Sequence, residues 1–96
     1  TYLDTYAWIL FEKGKYVEAR IYIDHALQNG GDASSVVVEH GGDIYFHNGE
    51  PEKALEYWKK AEKLADETKD DENEARDAKE LKRLKKKIAN KKYYAE

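Results

Sequence analysis

Apolar residues recur at steps of three and four through the first two-thirds of the chain, the spacing of one face of an α-helix. Leu3, Tyr6, Ala7, Leu10 and Phe11 predict a first helix over 2–13, and Gly14 stops it. Tyr16, Ala19, Ile23, Ala26 and Leu27 predict a second over 16–28. Lys15 alone joins the two, and so short a link makes them antiparallel neighbours. Asn29-Gly30-Gly31-Asp32 reads as a loop, and Ser34 or Ser35 is placed to cap a third helix running to about His47. Asn48-Gly49 ends that helix, and Pro51 opens a fourth, where its missing N–H costs nothing, continuing to about Asp66. Glu67 to Glu74 is polar and acidic and reads as a loop merging into a helix start. From about Asp71 the chain is helical in composition, with a narrow apolar stripe of Ala75, Ala78, Leu81, Leu84 and Ile88. Acids crowd its first turns and bases its last, which suits the helix dipole.

The first four helices form two copies of one layout. Ala7, Gly14, Ala19 and Ala26 are followed, each 35 residues later, by Gly42, Gly49, Ala54 and Ala61. Between them stand Leu10, Phe11, Tyr22 and Ile23 in the first copy, and Tyr45, Phe46, Tyr57 and Trp58 in the second. A fixed period in this range marks a stacked helical array, because one helix pair cannot bury its apolar side alone. Alanines at fixed positions let helices approach, and large side chains fill the remaining space. Gly41-Gly42 inside the third helix is costly, at roughly 0.5–1 kcal/mol per glycine relative to alanine. The matching Ala7 gives Gly42 a packing reason, a close neighbouring helix. Gly41 matches Tyr6 and has none.

Composition narrows the picture. Ninety-six residues make one small domain, 41% apolar and 39% charged with a single proline, which suits helices with wet outer faces. No apolar run is long enough to span a bilayer. Cysteine is absent, which excludes disulfides, thiolate metal sites and cysteine nucleophiles. The chain opens directly in a helical pattern without methionine, so the expectation is a segment of a longer protein. Residues 1–73 hold 8 Lys+Arg against 16 Asp+Glu, whereas residues 74–96 hold 9 against 4, so an acidic body carries a basic tail.

The pattern small–x2–aromatic–x3–Gly–x4–Ala–x3–aromatic–x2–Ala, carried by Gly42, Tyr45, Gly49, Ala54, Trp58 and Ala61, resembles the tetratricopeptide repeat (TPR). Ala7, Leu10, Gly14, Ala19, Ile23 and Ala26 form the other copy. The period exceeds the family's usual value of about 34 residues, which one extra residue in the Asn29–Ala33 loop accounts for. The proline usual at the end of a repeat is missing from both copies. The resemblance implies an all-α, right-handed α-α superhelix: one TPR-like domain with repeat 1 over about 1–31, repeat 2 over about 34–66 and a capping helix over about 71–93. The ending looks like the closing section of longer bacterial TPR proteins.

In that family the first helix of each pair lines a concave groove. Carried over by position, the groove here consists of Asp4, Trp8, Phe11 and Glu12 from the first pair, and Glu39, Asp43, Phe46 and His47 from the second. Such a groove is acidic with aromatic spots and favours a basic or aromatic-bearing peptide. The Lys, Arg and Asn that some TPR domains use to grip a C-terminal carboxylate are replaced by Asp4, Trp8, Glu39 and Asp43, so that clamp is absent. The expected function is a non-enzymatic protein-interaction scaffold with no cofactor.

Other chemistry fits less well. His40, Asp43 and His47 have the helical spacing of a zinc site, but so do many exposed polar residues, and no metal is expected. No serine lies in a nucleophile motif, and no glycine loop follows a strand. Lys79, Lys82, Arg83, Lys85, Lys86, Lys87, Lys91 and Lys92 read first as a solvated helical face, and only secondarily as a contact for nucleic acid or an anionic surface. A second function reading is self-association, with Leu3, Tyr6 and Leu10 left facing outward at the N-terminal side.

Overall fold

The computed structural model of the chain describes residues 2–68 and 78–91. Five α-helices account for nearly all of them: α1 Tyr2–Glu12, α2 Tyr16–Gln28, α3 Ser35–His47, α4 Pro51–Glu67 and α5 Ala78–Asn90, with a single 3-10 turn at Gly31–Ala33. The described residues contain no strand, so the protein is all-α. α1 lies against α2 and α3 against α4 as two helical hairpins; α2 packs on α3, and α5 on α4.

The two hairpins turn by the same local chemistry. Gly14 and Gly49 both take φ +80, a left-handed conformation that costs a residue with a Cβ. The Gly14 N–H donates to the Phe11 carbonyl and the Lys15 N–H to Leu10; 35 residues on, Gly49 donates to Phe46 and Glu50 to Tyr45. This is a Schellman motif, which satisfies carbonyls that the helix end leaves unpaired. Asn48 secures the second turn by donating through Nδ2 to the carbonyls of Ile44 (2.8 Å) and Tyr16 (2.9 Å), tying the end of α3 to the start of α2. At the other end of α3, the Ser34 side chain accepts from the Val37 N–H. Ser35, the alternative cap, instead donates to the buried Ala61 carbonyl (2.7 Å) and pins α3 to α4.

Two cores result. The first gathers Ala7, Leu10, Phe11, Ala19, Ile23 and Ala26 from the first hairpin, and α3 closes it with Val37 and Ile44. The second gathers Val38, Tyr45, Ala54, Trp58 and Ala61, and α5 closes it with Leu84. Small and large residues compensate between the copies. In the second copy Trp58 replaces Ile23, and Gly42 replaces Ala7. A Cβ on Gly42 would stand 2.5 Å from Trp58 Cδ1 and 3.1 Å from the Ala54 carbonyl oxygen, so the larger indole is accommodated by removing the methyl opposite it. Gly41 also gains a reason: it is buried where Leu27 and Ile23 of α2 come down on α3, with Leu27 Cδ1 3.4 Å from where its Cβ would be.

The hairpins are also laced on the α2/α4 side. The Tyr45 hydroxyl donates to the Asp24 carboxylate, Tyr57 stacks on Tyr45 (5.3 Å), and the Lys53 ammonium sits 4.7 Å over the Tyr45 ring. Burial raises the pKa of both phenols, and the neighbouring Asp24 carboxylate raises it further. Arg20–Glu50 (3.4 Å) spans the same seam but is exposed and contributes little.

Several boundaries differ from expectation. Glu67 belongs to α4 rather than to the loop, and a 3-10 turn replaces the end of the Asn29–Asp32 loop. Residues 69–77 and 92–93, parts of the expected acidic loop and capping helix, lie outside the described residues, as do Ala75, Lys92 and Tyr93-Tyr94. Within α5 the apolar stripe narrows to Leu81, Leu84 and Ile88, because Ala78 is exposed.

The Gly42–Trp58 fit predicts that Gly42→Ala destabilises the fold by about 1–3 kcal/mol in urea denaturation, despite alanine's better helix propensity. Combined with Trp58→Ile, the pairing found in the first hairpin, the same change is expected to cost less than the two single costs together.

Candidate functional site

The first helices α1 and α3 present the eight residues singled out from the sequence, and the structure divides them into two sets. Glu39 and Asp43 stand at i and i+4 on α3, so they point the same way, toward α5. Both are buried, and neither is open to a partner. Lys87 of α5, itself only 2% exposed, donates to Glu39 Oε2 at 2.6 Å and to Asp43 Oδ1 at 2.8 Å. The Trp58 indole N–H donates to the same Asp43 oxygen at 3.0 Å. The basic tail is therefore not uniformly a solvated face: one of its lysines is a core residue.

The sequence carries only a partial signal for this cluster: Glu39 and Asp43 sit on one face of α3, but Lys87 is one of three lysines between Leu84 and Ile88, and nothing in the spacing singles it out. Buried charges must be paired, so the burial of one group requires the others.

Within this cluster the Lys87 ammonium meets both carboxylates. Asp43 has its pKa pushed up from 3.8 to about 6: burial is the largest cause, Lys87 opposes it by charge and hydrogen bond, and the Glu39 charge adds to it. The folded carboxyl thus holds its proton more tightly than the unfolded one. Its contribution to stability is fully present below about pH 4 and is lost as pH rises through about 6.

The other set forms a continuous ladder of rings. His40 stacks on Trp8 (centroids 4.0 Å apart), and Trp8 on Phe11 (4.7 Å). Phe11 meets His47 edge-on (4.8 Å) and Tyr16 at a tilt (5.4 Å). His47 touches Tyr16 and Phe46, and Phe46 reaches Trp58 (5.7 Å). Phe11 is buried within the first core, whereas Trp8, Tyr16, His40, Phe46 and His47 are half-buried and form the visible edge. Asp4 is held 3.0 Å from His40 Nδ1, and Glu12 is exposed.

Asp4 and Glu39 are equivalent at the 35-residue period, and each is paired by a base from the next helix of the array, His40 in one case and Lys87 in the other. α5 thus stands over the second hairpin as α3 stands over the first. His40, Asp43 and His47 do not converge. His47 donates through Nδ1 to the Asp43 backbone carbonyl (2.9 Å), and among the described residues no group of three His, Cys, Asp or Glu is arranged to hold a metal. No helix of the described residues is long and apolar enough to cross a membrane.

In comparisons with protein families, with curated proteins and with solved structures, nothing matches the chain.

Lys87→Met, which strands two buried acids, is expected to cost about 3–5 kcal/mol in chemical denaturation. Adding Glu39→Gln and Asp43→Asn to that change should recover a substantial part of the loss. Asp43→Asn alone should flatten the pH dependence of stability between about pH 4 and 6, removing a slope worth up to about 3 kcal/mol over that window; paired melts of the two proteins across it measure the difference.

Proposed function

We propose that this protein is a non-enzymatic interaction module of TPR-like architecture, with its two helical hairpins in right-handed superhelical stacking and α5 as the terminal cap. The reading rests on the repeat of 35 residues, on the identical glycine turns at Gly14 and Gly49, and on α5 repeating over the second hairpin the part that α3 plays over the first.

The observation that carries the binding role is the ring ladder. Trp8, His40, His47, Tyr16 and Phe46 lie in ring-to-ring contact across α1, α2 and α3, each held by its neighbours and each partly open to solvent. Rings fixed in this way lose little entropy when a partner covers them, and their polar tips supply direction. The partner that fits is a protein segment with arginine or aromatic side chains, which pack against the open edges of Trp8, His47 and Phe46, while the exposed Glu12 offers a charge at the rim. Acidic attraction is narrower than the bare sequence implies, since Asp4 is taken by His40, and Glu39 and Asp43 by Lys87.

Trp8→Ala with Glu12→Arg removes one ring and reverses the rim charge without touching the buried ion cluster. Binding to an array of arginine- and aromatic-containing peptides is expected to weaken at least about tenfold, the loss of one good aromatic anchor. An array profile identical to that of the unaltered protein would end the reading.

A further inference from the structure

Stacking with His40 (4.0 Å) and Phe11 (4.7 Å) occupies the faces of the Trp8 ring, so what it shows to solvent is its rim, which carries the indole N–H. That N–H and the Tyr16 hydroxyl, both on half-buried residues of the ladder, make no hydrogen bond among the described residues. The contrast with the rings that face inward is direct. Trp58 spends its indole N–H on Asp43, and Tyr45 spends its hydroxyl on Asp24. A partner that covers the ladder must therefore bring acceptors, because a donor buried unpaired costs as much as a lost hydrogen bond.

That demand sorts the ways in which a chain segment can dock. A helix has used its backbone carbonyls on itself and can answer the donors only with side chains, at the cost of ordering them. A strand adds to an open sheet edge, and the described residues contain no strand. A segment in polyproline II conformation keeps its carbonyls unpaired and facing out. Built of proline, it also carries no N–H into the contact, and its apolar rings pack between aromatic side chains. Charge adds a direction. Glu12 follows Trp8 by four residues on the same face of α1, exposed and without an ion pair among the described residues, whereas Asp4 is taken by His40.

We propose that the ring ladder receives a proline-rich segment in polyproline II conformation, its carbonyls accepting from Trp8 and Tyr16 and an arginine beside the prolines meeting Glu12. This rests on the ladder being a binding surface, and adds the backbone and composition of the segment it takes.

The chain holds two tryptophans, so the indole N–H region of a nitrogen-15 NMR spectrum separates the question from the fold: Trp8 reports the ladder, and the fully buried Trp58 reports the core. Three peptides of equal length are titrated: Arg-Pro-Pro-Leu-Pro-Pro-Leu-Pro, the same peptide with alanine at every proline, and a helix-forming peptide with one arginine and two phenylalanines. The proline peptide is expected to move the Trp8 signal, leave Trp58 in place, and bind at least about tenfold more tightly than either comparator. Tyr16→Phe, which keeps the ring and removes the hydroxyl, is expected to weaken it by about three- to tenfold, the worth of one hydrogen bond. Glu12→Gln is expected to weaken it and to remove most of the salt dependence. Equal or tighter binding by a comparator that moves Trp8 overturns this inference and leaves the ladder a binding surface, and so does undiminished affinity in Tyr16→Phe. A Trp8 signal that none of the three peptides moves, with Trp58 at its folded position, overturns both.

Discussion

Neither hairpin can close its own core. Two antiparallel helices leave one apolar side open, and in this protein that side is sealed each time by the next helix in line, α3 for the first hairpin and α5 for the second. The requirement explains the residues that look odd in isolation. Ile44 and Val37 lie on α3 but belong to the core of the hairpin before it, and Gly41 is small because α2 bears down on it. Leu84, in a helix of otherwise charged composition, is as thoroughly buried as Trp58. The alanines at 19, 26, 54 and 61 set how near the rods come, and the bulk opposite them is adjusted pair by pair.

The two seals are not chemically alike. α3 joins the first hairpin through aliphatic and aromatic contact, with a half-buried Asp4–His40 pair at its edge. α5 joins the second through Leu84, with Ile88 packed beside it, and a buried lysine between two acids. Such a cluster is a poor source of net stability, because desolvation offsets most of its Coulomb attraction. It is far more effective at fixing register: a slip of α5 by one residue either puts Ile88 in the place of Lys87 and strands two carboxylates, or puts Arg83 in the place of the buried Leu84. That restriction helps to decide where α5 docks.

The helices, their turns and the 35-residue repeat were legible because each leaves a periodic trace: apolar steps of three and four, a glycine at each hairpin turn, alanine at each close approach. The division of the candidate groove was not. Glu39 and Asp43 have the same sequence position and chemistry as exposed groove acids, and only the arrival of α5 removes them from the surface. Lys87 was hidden by its company, one lysine among many in a tail where solvation is the ordinary fate. Leu3, Tyr6 and Leu10 mark the outward flank in the sequence reading and leave out Ile9, whereas in the fold Leu10 lies in the first core and Ile9 is exposed. The ring ladder needed coordinates, since Tyr16 on α2 and His40 on α3 enter it from outside the positions that resemblance singled out.

The first core draws on α1, α2 and α3 alone. Nothing buried in it comes from α4 or α5, so detachment of the last helix exposes Trp58 and leaves the opening hairpin closed. Interfaces arranged in series in this way do not share their strength evenly. Backbone amides of α5 are expected to trade hydrogen with solvent before those around Ile23 and Ala26, so among the described helices opening starts at α5.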